Sequence, residues 1–178
     1  MNDLRLLNNK WGAKNATNSD CFQCINSINN QVTYKWTGSY SKVKGMPVVM
    51  AGGHYGNPGG WATPKGMHNL PSRISDNEAH YVYFSETHIN KGTYSECLNC
   101  CIDIWLSNSH RGANSGEIMV WGNYINRQPV GSKIGSFDEY EIWKGDAGGW
   151  TCVTFRKTGN WSVIGNMNTF INYTISRG

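Results

Sequence analysis

Two short segments of the chain place a carboxylate among large apolar side chains. In "CIDIWL", residues 101–106, Asp103 alternates with aliphatic residues, and in "EIMVW", residues 117–121, Glu117 stands at the head of an apolar run. Successive side chains of a β-strand point to opposite faces of its sheet, so each segment predicts one aliphatic face and one face of carboxylate and aromatic groups. Two carboxyl groups on adjacent strands can tune each other's pKa, as acid–base and nucleophilic catalysis require.

The segment between these two predicts how the carboxylates meet. Residues 107–116, "SNSHRGANSG", are polar and contain glycine, so we expect a long hairpin loop joining antiparallel neighbours whose aliphatic faces share a core. If Trp105 lies opposite Glu117, then Asp103 lies opposite Met119. The two carboxylates then become diagonal neighbours at roughly 7–8 Å between backbones. An unpaired buried carboxylate costs several kcal/mol, so this face predicts a cleft rather than a core.

A plainer interpretation makes Glu117 and Asp103 solvated residues on the outer face of an ordinary sheet, where acids are common. Three large apolar neighbours on the same face, Trp105, Met119 and Trp121, argue against it, because such groups are seldom left together in solvent unless something binds them. A sugar ring fits this face, since its C–H surfaces pack on indole and its hydroxyls bond carboxylates. Retaining glycosidases place two carboxyl groups only about 5–5.5 Å apart.

The elements that must position these residues are predicted to be strands. The 178 residues suit one domain with a substantial core. A charged content of only 16%, with eight Trp and nine Tyr, favours a β-rich domain. Short alternating runs between Gly, Asn, Pro and Ser clusters are typical of a sandwich or barrel, and no helices alternate with them as a parallel α/β fold would need. The predicted strands are 4–7, 31–37, 47–50, 79–86, 98–106, 117–125, 137–143 and 150–156.

One helix is predicted, in "GNMNTFINYTISR" at residues 165–177, with Asn166 available as its cap. Four apolar residues of this segment fall on one face at helical spacing: Met167, Phe170, Ile171 and Ile175. The Gly- and Pro-rich residues 52–71 predict instead a long loop that carries His54 and Trp61, which is typical of a binding surface.

The charge and hydropathy patterns bear on partners and location. The net charge of +4 comes from scattered Lys and Arg residues, so we expect no nucleic-acid partner. No stretch approaches ~20 apolar residues, so we expect no membrane span. The start, "MNDLRLLNN", lacks the apolar centre of a signal peptide, so either a secretion signal was removed or the protein does not use that route.

The chain has six cysteines: Cys21, Cys24, Cys97, Cys100, Cys101 and Cys152. We expect disulfides among some of them; the two alternatives are free buried thiols and a structural zinc site. Two Cys-x-x-Cys pairs could close a tetrahedral zinc site, but the 72 residues between Cys24 and Cys97 far exceed the spacing of a compact zinc ribbon. We expect no cofactor and no metal. Disulfides, and Asn-x-Ser/Thr triplets at Asn15, Asn160 and Asn172, fit an extracellular protein.

An ordered series of motifs resembles glycoside hydrolase family 12, the endo-acting β-1,4-glucanases and xyloglucanases with a β-jelly-roll fold. The motifs are "NNKWG" at 8–12, "GGHYGN" at 52–57, "LPSRIS" at 70–75, "DIWL" at 103–106, "EIMVW" at 117–121, "QPVGS" at 128–132 and "FINY" at 170–173. The resemblance implies a single domain over residues 1–178. It would be an all-β jelly-roll sandwich of two twisted antiparallel sheets with one short helix near the C-terminus.

The resemblance also implies roles for individual residues. Glu117 corresponds to the nucleophile that attacks the anomeric carbon, and Asp103 to the acid that hydrogen-bonds it. Trp11, with Asn9 beside it, resembles the sugar platform on the glycone side, unless it is a core tryptophan. His54 resembles a histidine near the scissile bond, unless it only caps a turn. The remaining implied cleft-lining residues are Met119, Trp121, Pro129 and Gly131.

The chain departs from the family pattern after the helix. The family's acid/base Glu lies there in a stretch of the type G-x-E-x-[FW]-x-G, which does not occur before Gly178, and Glu139 and Glu141 in "EYEIW" do not fit that motif. Two functions follow as expectations: retaining endo-hydrolysis of β-1,4-glucan, with its activity in doubt, or a non-catalytic glucan-binding or decoy protein. The expected partner is a β-glucan polysaccharide, and sheet edges left uncovered would favour self-association.

Overall fold

A computed structural model describes residues 5–17, 21–26, 28, 31–39, 42–51, 70–85, 98–110, 112–157 and 162–178. Most of these residues form β-strands. The strands are β1 (Arg5–Asn9), β2 (Phe22–Asn26), β3 (Gln31–Lys35), β4 (Met46–Met50), β5 (Tyr81–Ser85), β6 (Leu98–Ser107), β7 (Asn114–Ile125), β8 (Ser132–Phe137), β9 (Tyr140–Asp146), β10 (Thr151–Lys157) and β11 (Ser162–Asn166). The helix α1 (Asn168–Ser176) follows, and short 3₁₀ helices lie at Ala13–Asn15 and Ile74–Asp76.

The chain divides into two compact units, Met1–Pro71 and Ser72–Gly178. In the first unit β1 pairs with β4 and β2 pairs with β3, both antiparallel. The side chain of Gln23 on β2 is 2% exposed, and its amide donates to Asn8 Oδ1 at 2.7 Å and to the Asn9 carbonyl at 3.1 Å. Because this buried amide is satisfied by residues of β1, it ties the two strand pairs of the unit together.

The second unit is built on a five-stranded sheet in the order β6-β7-β10-β9-β8, and a separate pair joins β11 to β5. Neighbouring strands are antiparallel except β7 and β10, which run parallel. A parallel pair needs a crossover connection, and here the β8–β9 hairpin supplies it. The chain leaves β7, forms the hairpin at the sheet edge and returns as β10 between β9 and β7.

One face of this sheet carries the hydrophobic core, against which α1 packs. Phe155 on β10 is fully buried, with its ring edge-to-face with Phe170 of the helix at 5.0 Å and with Tyr140 of β9 at 6.4 Å. The buried residues of the core are Ile118, Val120, Tyr140, Ile142, Val153, Phe155, Met167, Phe170 and Ile171. Each large apolar side chain stabilises the fold by about 1.5–3 kcal/mol when fully buried. The aliphatic positions of β7 are thus fixed in the core, and Glu117 lies on the opposite face.

The predicted all-β class is confirmed, and so is a helix near the C-terminus. Strands β2, β8 and β11 were not predicted, and the prediction of one strand over 137–143 is wrong at its start. The backbone of Asp138 is left-handed, with φ 49°, and turns the chain between β8 and β9. The sequence does not reveal this tight turn, because the aromatic residues Phe137 and Tyr140 flank it and are typical of a continuous strand.

The helix begins later than predicted, at Asn168, because the preceding residues pair as β11. Asn166 still satisfies the helix start, since its Oδ1 accepts the Asn168 N–H at 3.1 Å. Ile175 was predicted on the core face but is 51% exposed; it stands in the last turn of the nine-residue helix. No helix in the described part of the chain is both long and apolar enough to cross a membrane.

The prediction of disulfides is wrong for the five described cysteines, none of which is bridged. Strand β7 separates Cys101 on β6 from Cys152 on β10. Two strand spacings amount to roughly 9–10 Å, beyond the ~7 Å that a disulfide spans between Cα atoms. The thiol of Cys101 bonds to Asp103 instead. Cys97 lies outside the described residues, and among those described no three His, Cys, Asp or Glu side chains are grouped to hold a metal ion.

Candidate active site

Strands β6 and β7 meet in the predicted register. Trp105 lies opposite Glu117, and Asp103 lies opposite Met119, so the two carboxylates are diagonal neighbours on one face. Glu117 is 7% exposed, whereas its strand neighbour Ile118 is completely buried in the core on the other face. The period-2 pattern of the sequence therefore places both acids on the face that the core leaves open, which we call the carboxylate face.

Trp150 reaches this face from the start of β10. Its indole Nε1 donates a hydrogen bond to Oε2 of Glu117 at 2.9 Å, and its ring packs edge-to-face on Trp105 with centroids 5.6 Å apart. The turn before β10 is held by Asp146, whose carboxylate accepts the backbone N–H groups of Gly148 and Gly149 at 2.7 and 2.8 Å. The hydrogen bonds of this turn thus help to place the Trp150 indole against the carboxylate of Glu117, which lies 33 residues earlier in the chain.

Burial raises the pKa of Glu117, and the negative charge of Asp103 raises it further. Hydrogen bonds from Trp150 and from the thiol of Cys152 act in the opposite direction, since they favour the ionised carboxylate. Cys152 lies directly opposite Glu117 in the parallel pair and is 1% exposed. Donors on β10 therefore offset part of the cost of burying this charge.

Neutral thiols flank both carboxylates. Cys101 Sγ donates to Asp103 Oδ1 at 3.0 Å and accepts from the Asn99 amide at 3.3 Å. Burial raises the pKa of the Cys101 thiol well above its ordinary value, and burial together with the Glu117 charge raises the pKa of Cys152 to about 12. Both groups stay protonated at neutral pH, so they act as hydrogen-bond donors to the carboxylates rather than as nucleophiles.

Another carboxylate on the same sheet, Glu141 of β9, belongs to an ion-pair cluster with Lys133 and Arg156. It accepts from Lys133 Nζ at 2.9 Å and from Arg156 Nε at 2.9 Å, and Trp143 Nε1 lies 3.4 Å away. The Arg156 guanidinium stacks over Tyr124 at 4.7 Å and over Trp143 at 5.0 Å. Hydrogen bonds from Lys133 and Arg156 lower the pKa of Glu141 to about 2. Glu141 is therefore ionised at neutral pH and does not supply a proton there.

Trp121 and Met119 lie further along β7, where the sequence predicted them. Trp121 is 3% exposed, and its Nε1 has no hydrogen-bond partner among the described residues. A buried N–H without an acceptor costs about 1–3 kcal/mol. Met119 is half-buried beside it.

The predicted Pro129 and Gly131 lie in the connection between β7 and β8. Pro129 is buried, and Gly131 has a φ of 82°. A Cβ at Gly131 would come within 2.0 Å of the Lys144 carbonyl oxygen, so only glycine fits against β9 there. Gly131 also packs against the backbone of Gly145 on β9. Gly145 pairs with Cys152 on β10, the strand next to Glu117.

Asn9 and Trp11 come together in the first unit, where Asn9 Oδ1 accepts the Trp11 N–H at 3.1 Å. Trp11 is 60% exposed, so the alternative of a core tryptophan is wrong. His54 and Trp61 lie outside the described residues.

An open cavity of about 490 Å³ lies beside Trp150. Ser115, Lys144, Asp146 and Thr151 contribute its polar groups.

Sequence reasoning missed the contributions of Trp150 and Cys152. Alternation along the predicted strand 150–156 puts both on one face, but the sequence does not say which strand lies next to them. A tryptophan directly after a Gly-Gly turn was the available signal, since a large indole at a strand start often serves a surface.

Comparisons with known proteins agree with this architecture. The native family 12 xyloglucanase from Bacillus licheniformis is 26% identical, with a TM-score of 0.75, over 98% of this chain and 78% of that chain. The endoglucanase of Rhodothermus marinus is 25% identical, with a TM-score of 0.73, over 99% and 77%. These likenesses confirm the predicted jelly-roll fold. No curated protein matches the sequence significantly. The sequence model described as glycosyl hydrolase family 12 matches residues 2–178, so this chain belongs to glycosyl hydrolase family 12.

Proposed function

We propose that this protein hydrolyses internal β-1,4 linkages of glucans, such as cellulose, mixed-linkage β-glucan or xyloglucan, with retention of the anomeric configuration. The observation that carries the proposal is the buried Glu117, held by Trp150 at 2.9 Å and diagonal to Asp103. Family membership supports glycoside hydrolysis, and two of the similar structures are a xyloglucanase and an endoglucanase.

In this proposal Glu117 is the nucleophile. A carboxylate attacks an anomeric carbon only when it is ionised and aimed at it. As the glycosyl-enzyme bond forms, the glycosidic C–O bond breaks and the departing oxygen takes a proton from water; a second water then hydrolyses the intermediate. The hydrogen bonds of Trp150 and Cys152 favour the ionised form, whereas burial and Asp103 raise the pKa. Asp103 is assigned as the acid next to the nucleophile, where its charge raises the pKa of Glu117.

The remaining residues of the carboxylate face would bind the sugar units. Trp121 offers a buried indole N–H, and Met119 an apolar surface, beside the nucleophile. The exposed Trp11 and its neighbour Asn9 fit the glycone-side platform that the family resemblance implies. The same resemblance assigns the other cleft-lining positions, His54, Pro129 and Gly131. We extend the proposal to a single domain over residues 1–178 that acts outside the cell on polysaccharide.

The test compares wild-type protein with Glu117→Gln on carboxymethylcellulose, mixed-linkage β-glucan and xyloglucan. We expect the release of reducing ends by the wild type and a loss of at least about 10³-fold in the variant. Glu139→Gln is the matched control, because Glu139 is an exposed carboxylate that pairs with Lys157 on the surface. Proton NMR of the first product should show the β-anomer. Turnover that survives in Glu117→Gln, or a first product with inverted configuration, would refute the assignment.

A second candidate is glucan binding without cleavage. The state of Glu141 favours it, because the ion-pair cluster keeps this glutamate ionised, with a pKa of about 2. General acid assistance contributes about 10²–10⁴ to glycoside cleavage, so a face without a proton donor would bind far better than it cleaves. Calorimetry with cello-oligosaccharides that gives saturable binding and no product would support this candidate. Product release at ordinary rates would exclude it.

A further inference from the structure

We propose that Trp150 is a positioning residue for Glu117: its indole N–H fixes one carboxylate oxygen and leaves the other aimed at the sugar. The inference rests on the proposed function, because it gives a role to a contact of the proposed nucleophile. The bond joins Trp150 Nε1 to Glu117 Oε2 at 2.9 Å, the usual length of an N–H···O bond to a carboxylate.

The indole is itself held in place. Its ring packs edge-to-face on Trp105, the residue opposite Glu117 across β6 and β7. The Asp146 turn fixes the backbone just before it through two N–H bonds to one oxygen. An indole that is anchored on both sides keeps its position whether the Glu117 carboxyl is ionised, protonated or bonded to the sugar. Positioning by a rigid group requires this.

The choice of an indole has a chemical consequence. Trp Nε1–H is a donor only and has no acidic proton in the working pH range, so it stays a donor in every protonation state of the site. The bond to Trp150 engages Oε2 of Glu117. We therefore assign Oε1 as the oxygen that attacks the sugar.

The titratable groups that face Glu117 come from two strands. Asp103 and Cys101 lie on β6, and Cys152 lies on β10. Asp103 raises the pKa of Glu117, and the thiol of Cys152 lowers it by hydrogen bonding. Trp150 donates to Glu117 but carries no charge in the working pH range, so removing it should alter the acid limb of activity without adding or deleting a charge.

The experiment compares Trp150→Phe with Trp143→Phe. Both remove an indole N–H that bonds a glutamate, but the Trp143 indole faces Glu141, not Glu117. We expect Trp150→Phe to reduce kcat roughly 10- to 100-fold with little change in KM, and to move the acid limb of kcat/KM to higher pH. Trp143→Phe should leave the acid limb where it is. An unchanged acid limb in Trp150→Phe would overturn the inference.

A second readout needs neither activity nor the Trp150 variant to fold. The indole ¹H–¹⁵N signals of the wild type are recorded across the acid range and compared with those of Glu117→Gln. We expect one indole signal to titrate in the wild type and to lose that titration in Glu117→Gln. If no indole signal responds to Glu117, Trp150 does not position it. A titrating signal in a protein that cleaves no glucan would sustain this inference and defeat the proposed function.

Discussion

Replacing Glu141 with glutamine tests how far the ion-pair cluster stabilises the fold. Hydrogen bonds from Lys133 and Arg156 lower the pKa of Glu141 from 4.5 to about 2. At 1.36 kcal/mol per pKa unit, this corresponds to roughly 3 kcal/mol of stability at neutral pH. The Glu141 side chain is 25% exposed and that of Lys133 50%. Solvent screening therefore reduces the expected loss in Glu141→Gln to about 1–2 kcal/mol.

The loss should depend on pH in one direction. A carboxyl whose pKa is lowered in the folded state contributes its full stability above its ordinary value of 4.5 and loses it as the pH falls toward 2. We expect wild type and Glu141→Gln to differ most from about pH 6 upward and to converge below about pH 3. Urea unfolding followed by tryptophan fluorescence at several pH values measures the difference.

The matched control is Glu139→Gln. Glu139 pairs with Lys157 at 2.5 Å, but its side chain is 56% exposed. A surface pair of this kind contributes about 0–1 kcal/mol, so the control should lose less stability than Glu141→Gln. The reasoning is refuted if the two variants lose the same stability at neutral pH. It is refuted equally if the loss in Glu141→Gln persists undiminished near pH 3, because it would then not come from the charge.

Three further predictions follow from the same contacts. Asp103→Asn removes a charge that raises the pKa of Glu117, so the acid limb of kcat/KM should move to lower pH; a limb that stays in place would contradict the coupling. Gly131→Ala should lower the free energy of unfolding by more than about 2 kcal/mol, because φ is 82° and the β9 carbonyl is 2.0 Å from the new methyl; urea unfolding measures it. Iodoacetamide should alkylate the exposed Cys24 in folded protein but Cys152, with a pKa of about 12, only in urea; peptide mass mapping distinguishes them.

The part of the site on β6 and β7 could be predicted because its determinants are local. Alternation along two consecutive strands decides which side chains share a face, and a polar hairpin loop makes those strands neighbours. The register of Trp105 with Glu117 follows once the aliphatic positions must enter one core. The family resemblance, which the match over residues 2–178 confirms, rests on the same two strands and on motifs in order along the chain.

Other expectations failed where a short local signal was ambiguous. The five described cysteines form no disulfide, because spacing along the chain says nothing about distance across a sheet, and β7 separates Cys101 from Cys152. The start of the helix was placed too early because the residues of β11 are also compatible with a helix; pairing with β5 decided between them.

What the sequence determined by itself is the carboxylate face: Asp103 and Glu117, their register, and the aliphatic core behind them. Only the tertiary structure decided which residues contact Glu117 from the side of β10, namely Trp150 and Cys152. Trp150 lies 33 residues from Glu117 along the chain, and the two meet because β10 inserts in parallel between β7 and β9. Backbone hydrogen bonds between strands carry no residue identity, so the packing of the whole core against α1, rather than any local motif, selects that neighbour.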